Sequence, residues 1–189
     1  MIGEFFIIKS RISKLVKSNF ANKNKSVLDM GCGDEPYYHD NIAGKFFCFD
    51  IKKTRTSNVV GNANSLPFKN SSFDSVISIN SFYYFDNPFA SSKEVGRVLK
   101  KNGKFVLVMP FIYPIHDAPH DKYRFTEFGI RELLKNDFTI KEVKTIGGIF
   151  TLKAVFFHSI IKGIKFVFPK PVGFLTIPLI IVLYPFYIL

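Results

Sequence analysis

The chain has no tryptophan and only two cysteines among its 189 residues. Cys32 lies between two glycines and Cys48 within an apolar run, so the pair does not form the cysteine framework of a small secreted domain. The amino terminus runs from an acidic residue through a short apolar run to basic residues, which is the wrong order for a secretory signal. We therefore expect a protein of the reducing cytoplasm.

Acidic residues are also scarce, 15 against 26 lysines and arginines, which gives a formal net charge of +11. The basic residues concentrate in 1–25 and 135–170. Two basic segments favour a polyanionic partner, either nucleic acid or an anionic membrane surface, although solvated lysine-rich faces would give the same composition.

Residues 171–189 contain no charged side chain. Their length approaches that of a membrane span, but Pro171, Pro178 and Pro185 interrupt the run. We interpret residues 149–189 as two interfacial helices or a shallow hairpin at a membrane, with a buried helical pair of a soluble core as the alternative.

The rest of the chain alternates helical and strand patterns. Strand-like runs, each suited to burial on both faces, are separated by helical stretches, and this order predicts an α/β fold. We expect a Rossmann-like, doubly wound, mostly parallel sheet with helices on both faces, followed by an apolar helical C-terminal segment. The predicted parts are an amphipathic helix within 1–24, a core over 25–148 and the apolar segment 149–189. Within the core, the predicted elements are strands 26–30, 45–51, 73–80, 104–109 and 138–146, and helices 87–100 and 126–136.

The first predicted strand ends in Asp29-Met30-Gly31-Cys32-Gly33. Glycines there allow a tight turn and a close approach of the backbone to a ligand. Asp50 ends the next strand, where a carboxylate can accept from both hydroxyls of a ribose. A dinucleotide loop needs a third glycine, but Pro36 stands in its place and the acidic pair at 34–35 would repel phosphates. The loop therefore favours a cationic sulfonium, S-adenosyl-L-methionine, over NAD.

With these residues the sequence resembles the class I methyltransferases of the methyltransferase type 11 family over roughly residues 25–147. The segments 27–33, 61–68 and 94–103 match its motifs in order, and Asp50 matches its ribose acid. The resemblance implies a cofactor site formed by Asp29, Gly31, Cys32, Gly33, Asp50, Asn62, Ala63 and Asn80.

The chain departs from the family pattern at three places. Asn62 replaces the usual aspartate that accepts from the adenine amino group. Tyr83-Tyr84 replaces the acid–histidine pair after the fourth strand. No seventh strand is visible after Ile146.

A loop rich in polar and aromatic residues, 110–126, follows the last strand of the predicted parallel sheet, at the edge where such sheets bind substrates. We expect His116 or His120 to act as the base that removes a hydroxyl proton, steadied by Asp117 or Asp121. No metal site is predicted. The residues expected to bind the acceptor are Tyr83, Tyr84, Tyr113 and Arg124.

This loop and the apolar C-terminal segment resemble a subgroup associated with surface polysaccharides. The resemblance implies O-methylation of a sugar in a glycan or lipid-linked glycan, by an enzyme that is cytoplasmic or peripheral at the cytoplasmic membrane face. Methylation of another small molecule or lipid, such as a quinone precursor, is an alternative. A nucleic-acid methyltransferase is disfavoured, because residues 80–83 lack the two prolines typical of enzymes that methylate base amines. A non-catalytic S-adenosylmethionine-binding module is the third alternative.

Overall fold

The structure, a computed structural model, describes residues 4–34, 36–115, 117–148 and Lys153. Residues Lys9–Lys144 form one compact unit that contains the whole sheet, and Met1–Ile8 with Thr145–Leu189 form the other. The order of elements is α1 (Glu4–Asn19), β1 (Ser26–Met30), β2 (Lys45–Asp50), β3 (Val59–Val60), β4 (Phe73–Ile79), α2 (Pro88–Val98), β5 (Leu99–Val108) and α3 (Glu127–Leu134).

The five strands form one parallel sheet in the order β3-β2-β1-β4-β5. β1 lies at its centre, and Val27, Leu28 and Met30 are almost completely buried because the strand has neighbours on both sides. The predicted α/β architecture, a parallel sheet with flanking helices, is confirmed. Since all strands run the same way, their carboxyl ends lie at one edge of the sheet, which we call the carboxyl edge; the opposite one is the amino edge.

Several predicted elements are confirmed with small changes at their ends. β1 has the predicted bounds, and β2 and β4 each end one residue earlier. α3 begins after Thr126, whose hydroxyl accepts from the Gly129 N–H at 3.0 Å. α1 buries Ile12 and Val16 and leaves its lysines outside, as an amphipathic helix should.

Two differences have local causes. β5 begins at Leu99, five residues earlier than expected, because Leu99 pairs with Phe73 and the register then shifts before Lys104 pairs with Ser75. Asn102, at φ +61°, lies in this irregular stretch. The two-residue β3 was not predicted, since so short a run has no recognisable period.

The strand predicted over 138–146 is wrong: none of these residues is in a strand. The Phe138 N–H instead bonds to the Leu134 carbonyl at 2.9 Å and so continues the turn that ends α3. Phe138 and Ile140 pack against the core as side chains on an irregular backbone. The alternation of apolar and polar residues in this stretch therefore comes from burial of one face, without any pairing to a strand.

Nearly all of the predicted C-terminal apolar segment lies outside the described residues. Within the described part of the chain, no helix is long and apolar enough to cross a membrane. The domain boundaries at 24 and 148 stay predictions.

Candidate functional site

The loop after β1 turns through two glycines in the left-handed region, Gly31 at φ +82° and Gly33 at φ +66°. A Cβ on Gly31 would lie 2.3 Å from the Ser81 Cβ, so at this point the loop is pressed against the end of β4. The Ser81 hydroxyl holds the contact by donating to the Met30 carbonyl at 2.8 Å. A Cβ on Gly33 would meet nothing within 4 Å. The loop is therefore closed at its first glycine and open at its second.

Asp50 lies beside this opening. Its carboxylate accepts from the Gly33 N–H at 2.9 Å, which joins the loop after β1 to the end of β2. The Thr56 hydroxyl donates to the Gly33 carbonyl at 2.6 Å, and the Asp34 carboxylate accepts from the Arg55 N–H at 3.0 Å. These bonds fix an acidic group at the edge of an open glycine turn.

Ile51 follows Asp50, and its side chain is 65% exposed. Sequence reasoning gave Ile51 no role. A large apolar side chain beside an acid that can hold a ribose offers a surface for a flat ring, and its position directly after the acid is the signal that could have identified it.

Asp29 lies below the loop. Its side chain is fully buried, and its carboxylate accepts from the Tyr38 hydroxyl at 3.0 and 3.2 Å and contacts the His39 Nε2 at 2.5 Å. Burial raises the pKa of Asp29, while the hydrogen bond and charge of His39 and the Tyr38 hydroxyl oppose the rise. A carboxylate at this position could bind a ligand ammonium or order the loop, and these contacts favour ordering the loop.

His39 was given no role from the sequence. It lies in a single 3₁₀ turn, His39–Asn41, ten positions after Asp29. No motif joins these two residues, and only the fold brings the imidazole below the loop.

The other expected cofactor residues divide by exposure. Cys32 and Ala63 are buried, and the Cys32 sulfur accepts from the Thr56 hydroxyl at 3.6 Å. Asn62 and Asn80 are exposed. The Asn62 side-chain oxygen accepts from the Asn64 N–H at 2.8 Å, and the Asn80 N–H donates to the Val108 carbonyl at 2.9 Å. All except Ala63 and Asn62 lie in or directly beside the segments that end β1, β2 and β4.

The expected acceptor residues lie on the β4 and β5 side of the same edge. Tyr83 is buried in a 3₁₀ turn, Phe82–Tyr84, and its ring centroid is 4.2 Å from that of Tyr84. The Tyr83 carbonyl accepts from the N–H groups of Lys122 and Tyr123 at 3.3 and 3.2 Å. The loop after β5 is thereby attached to the turn after β4.

Arg124 and Asp121 form the ion pair that organises this loop. The Arg124 Nη2 donates to Asp121 at 2.6 Å, and Nη1 donates to its other carboxylate oxygen. The guanidinium also lies 5.2 Å from the Tyr83 ring centroid and donates to the Tyr113 carbonyl at 3.3 Å. Asp121 was expected to steady a histidine; both of its oxygens accept from Arg124, and its side chain is only 1% exposed.

His120 is exposed, and its backbone N–H donates to the Asp117 carbonyl at 2.9 Å. Lys122 contacts the exposed carboxylate of Asp86 and holds the pKa of Asp86 below its usual value. The charge of His120 makes a smaller contribution in the same direction. His120 therefore lies near the turn after β4. His116 lies outside the described residues. Among the residues described, no group of three histidine, cysteine or acidic side chains could hold a metal.

Comparison with known proteins agrees with this geometry. Residues 28–107 match the sequence profile of a family described as a methyltransferase domain. An uncharacterized protein of Methanocaldococcus jannaschii is 31% identical over 149 residues, which cover 73% of this chain and 54% of that protein. The chain spans about half the length of the curated relatives it matches.

Solved structures share the fold. A protein of Pyrococcus horikoshii is 26% identical, with a TM-score of 0.59 over 74% of this chain and 86% of that one. A chain from the complex between the Haloferax volcanii Trm112 methyltransferase activator and a candidate methyltransferase has a TM-score of 0.53 at 23% identity, over 66% of each chain. The matched domain spans β1 to β5 and contains both glycines and Asp50. Residues 28–107 are therefore similar to a methyltransferase domain, and the chain shares the fold of these solved structures.

Proposed function

We propose that this chain is an S-adenosylmethionine-dependent methyltransferase that O-methylates a sugar of a glycan or lipid-linked glycan at the cytoplasmic face of a membrane. The observation that carries the proposal is the open turn at Gly33, whose N–H is bonded to Asp50 at 2.9 Å. The open space above Gly33 suits the aminoacyl tail of the cofactor. The carboxylate of Asp50 suits its ribose, and the exposed apolar side chain of Ile51 suits its adenine base.

The charges beside the turn fit this cofactor better than a dinucleotide. Asp34 and Asp50 lie next to the glycine turn, where a pyrophosphate would meet like charge. A sulfonium with an amino-acid tail has no phosphate to be repelled. Bound there, S-adenosylmethionine would supply an electrophilic methyl group.

The chain's own residues would hold and prepare the acceptor. Tyr83, Tyr84 and Arg124 form the wall between the β4 turn and the β5 loop, and the Arg124–Asp121 pair keeps that loop in one conformation. In this proposal the exposed imidazole of His120 takes the hydroxyl proton, and His116 is the other candidate. Most of the rate acceleration would then come from positioning the hydroxyl in line with the methyl group.

A labelling experiment separates this proposal from its alternatives. Purified protein is incubated with methyl-tritiated S-adenosylmethionine and separate fractions of lipid-linked glycan, polysaccharide, quinone precursors and RNA. We expect alkali-stable label in a glycan fraction, with at least about 100-fold less for His120→Gln, the loss typical of a missing general base. Lys135→Gln, at an exposed surface residue, is the matched control.

Each other outcome identifies a different function. Label confined to RNA would support a nucleic-acid methyltransferase, and label in a small apolar acceptor would support the quinone-type alternative. Cofactor binding without label in any fraction would indicate a binding module.

A further inference from the structure

Large apolar side chains that remain exposed are distributed unevenly over the unit Lys9–Lys144. Single exposed apolar residues are normal on a protein surface, whereas their segregation to one side marks an interaction surface. Among the described residues, the large apolar side chains that are exposed are those of Ile51, Val60, Phe89, Phe111, Ile112, Ile115 and Phe128.

All seven lie towards the carboxyl edge of the sheet. Ile51 follows β2, Val60 ends β3, and residues 111–115 follow β5. Phe89 and Phe128 are each the second residue of a helix, α2 and α3. α2 leaves the carboxyl end of β4, and α3 begins shortly after Tyr123, whose N–H bonds to the Tyr83 carbonyl at this same edge.

The amino edge has the opposite character. Lys25 and Lys100 both pair with Asp74, at 3.1 and 2.9 Å. The other exposed lysines near this edge are Lys23, Lys45, Lys101 and Lys104. None of the exposed large apolar residues described lies here. The exposed large apolar side chains that the structure describes are therefore gathered at one end of the unit, whereas exposed lysines occur at both ends, with Lys52, Lys53 and Lys122 at the carboxyl edge.

We propose that the carboxyl edge, with Phe111, Ile112, Ile115, Phe89 and Phe128 as its contact residues, docks on a phospholipid surface. Phenylalanine and isoleucine side chains on a loop gain free energy by entering the interface between headgroups and acyl chains. Ile115 and Phe128 are each 80% exposed, so their burial in lipid would remove much apolar surface from water.

Two further observations favour lipid over a second protein. The contact residues lie at the same edge of the sheet as the candidate site, so a lipid surface docked there would bring a lipid-linked acceptor to that site. The chain also continues beyond the described core with an apolar sequence that has no charge over 171–189, a composition suited to lipid. That docking serves the acceptor rests on the proposed function; the docking itself does not.

The absence of tryptophan allows a direct test. Ile115→Trp and, as a matched control on the amino edge, Lys101→Trp are made in the full chain, each giving a single fluorophore. Both are mixed with vesicles of phosphatidylcholine and phosphatidylglycerol, with and without lipids that carry a quencher in the acyl chain. We expect a blue shift and quenching for Ile115→Trp and neither for Lys101→Trp.

A second variant tests the contribution of the surface to binding. Phe111→Ser with Ile112→Ser changes exposed side chains only, so its free energy of unfolding should stay that of the wild type, while its vesicle affinity falls about 10-fold or more. Its mass in solution is measured alongside.

Several results would overturn the proposal. Quenching of Lys101→Trp in place of Ile115→Trp would mean that the protein docks by its amino edge. Vesicle binding that the double substitution leaves unchanged would mean that other residues dock without this surface. A change in oligomeric mass with vesicle affinity unchanged would make the surface a contact between copies, and a failure of the wild type to bind vesicles would also overturn it. S-adenosylmethionine binding, measured without vesicles, tests the proposed function separately.

Discussion

At the scale of single residues, the two glycines after β1 are required for different reasons. Gly31 faces Ser81 across a gap that no Cβ can occupy, and Gly33 faces open space. Gly31→Ala should lower the free energy of unfolding by about 3 kcal/mol, from left-handed backbone strain and overpacking together. Gly33→Ala should cost only about 1 kcal/mol of stability, but its methyl group would enter the open space that we propose for the cofactor.

Denaturant unfolding and cofactor calorimetry on the same two variants check this contrast. We expect Gly33→Ala to lose cofactor affinity by more than its small change in stability explains. Equal stability losses in the two variants would contradict the account of the loop.

Asp29 is a second residue-scale case, because its buried carboxylate relies on Tyr38 and His39. His39→Gln removes the imidazole that contacts the buried carboxylate and should lower the free energy of unfolding by about 2 kcal/mol; Tyr38→Phe should cost about 1 kcal/mol. His120→Gln, at an exposed histidine, is the control and should leave stability unchanged. Chemical denaturation of the three variants at neutral pH measures these differences, and equal effects of the two histidine substitutions would refute the role given to His39.

At the scale of elements, Asp74 ties the amino ends of three strands together. Its carboxylate accepts from the Ser26 N–H and hydroxyl, both at 2.9 Å, and from Lys100 at 2.9 Å. These donors, the Ser26 N–H foremost, hold the pKa of Asp74 far below its usual value of 3.8. A depressed pKa in the folded state means that the stabilisation is complete above pH 3.8 and is lost as the pH falls below it.

We therefore expect Asp74→Asn to cost about 1–2 kcal/mol near neutral pH, from the lost charge-assisted hydrogen bonds. The difference between wild type and variant should shrink as the pH is lowered from about 5 to 2, because Asp74 of the unfolded wild type takes up a proton there while the folded state still holds the carboxylate ionised. Unfolding curves over that range test this, and a difference that grows towards acid would show that the sign is wrong.

The loop after β5 is the second case at this scale. Asp121→Asn weakens the pair with Arg124 that attaches the loop to Tyr113 and Tyr83. Because these contacts lie on the acceptor side, we expect the KM for the acceptor to rise about 10-fold while the Kd for the cofactor changes little. Glu127→Gln, in the exposed pair with Arg131, is the matched control, since such surface pairs contribute little. An equal loss of cofactor affinity in Asp121→Asn would contradict the division of the edge into two sides.

Elements with a strong local signal could be predicted from the sequence. β1 is a short apolar run that ends in glycines, and α3 has a Thr126 cap, so both were placed within two residues. β5 and the stretch 138–146 were misjudged because the register shift before Lys104 and the turn at Phe138 depend on what the neighbouring elements offer. The spacing of apolar residues within one segment does not show which other segment it pairs with.

At the scale of the whole molecule, the fold brings to one edge residues that are far apart in sequence. The closeness of the glycine loop to Asp50 could be predicted, because both follow strands at a recognisable spacing. Other features could not be predicted, since each depends on how loops approach one another in space. They are the contact of His39 with Asp29, the Asp121–Arg124 pair and the exposed apolar side chains at the carboxyl edge.

We propose that the edge built by Gly33 and Asp50 binds S-adenosylmethionine. Calorimetric titration of the purified chain with this ligand should show saturable binding to one site. Asp50→Ala should weaken it by about 10-fold or more, since a charged acceptor for the ribose hydroxyls is lost, and NAD should not bind. Absence of binding at millimolar S-adenosylmethionine, or equal affinity of the wild type and Asp50→Ala, would contradict the account.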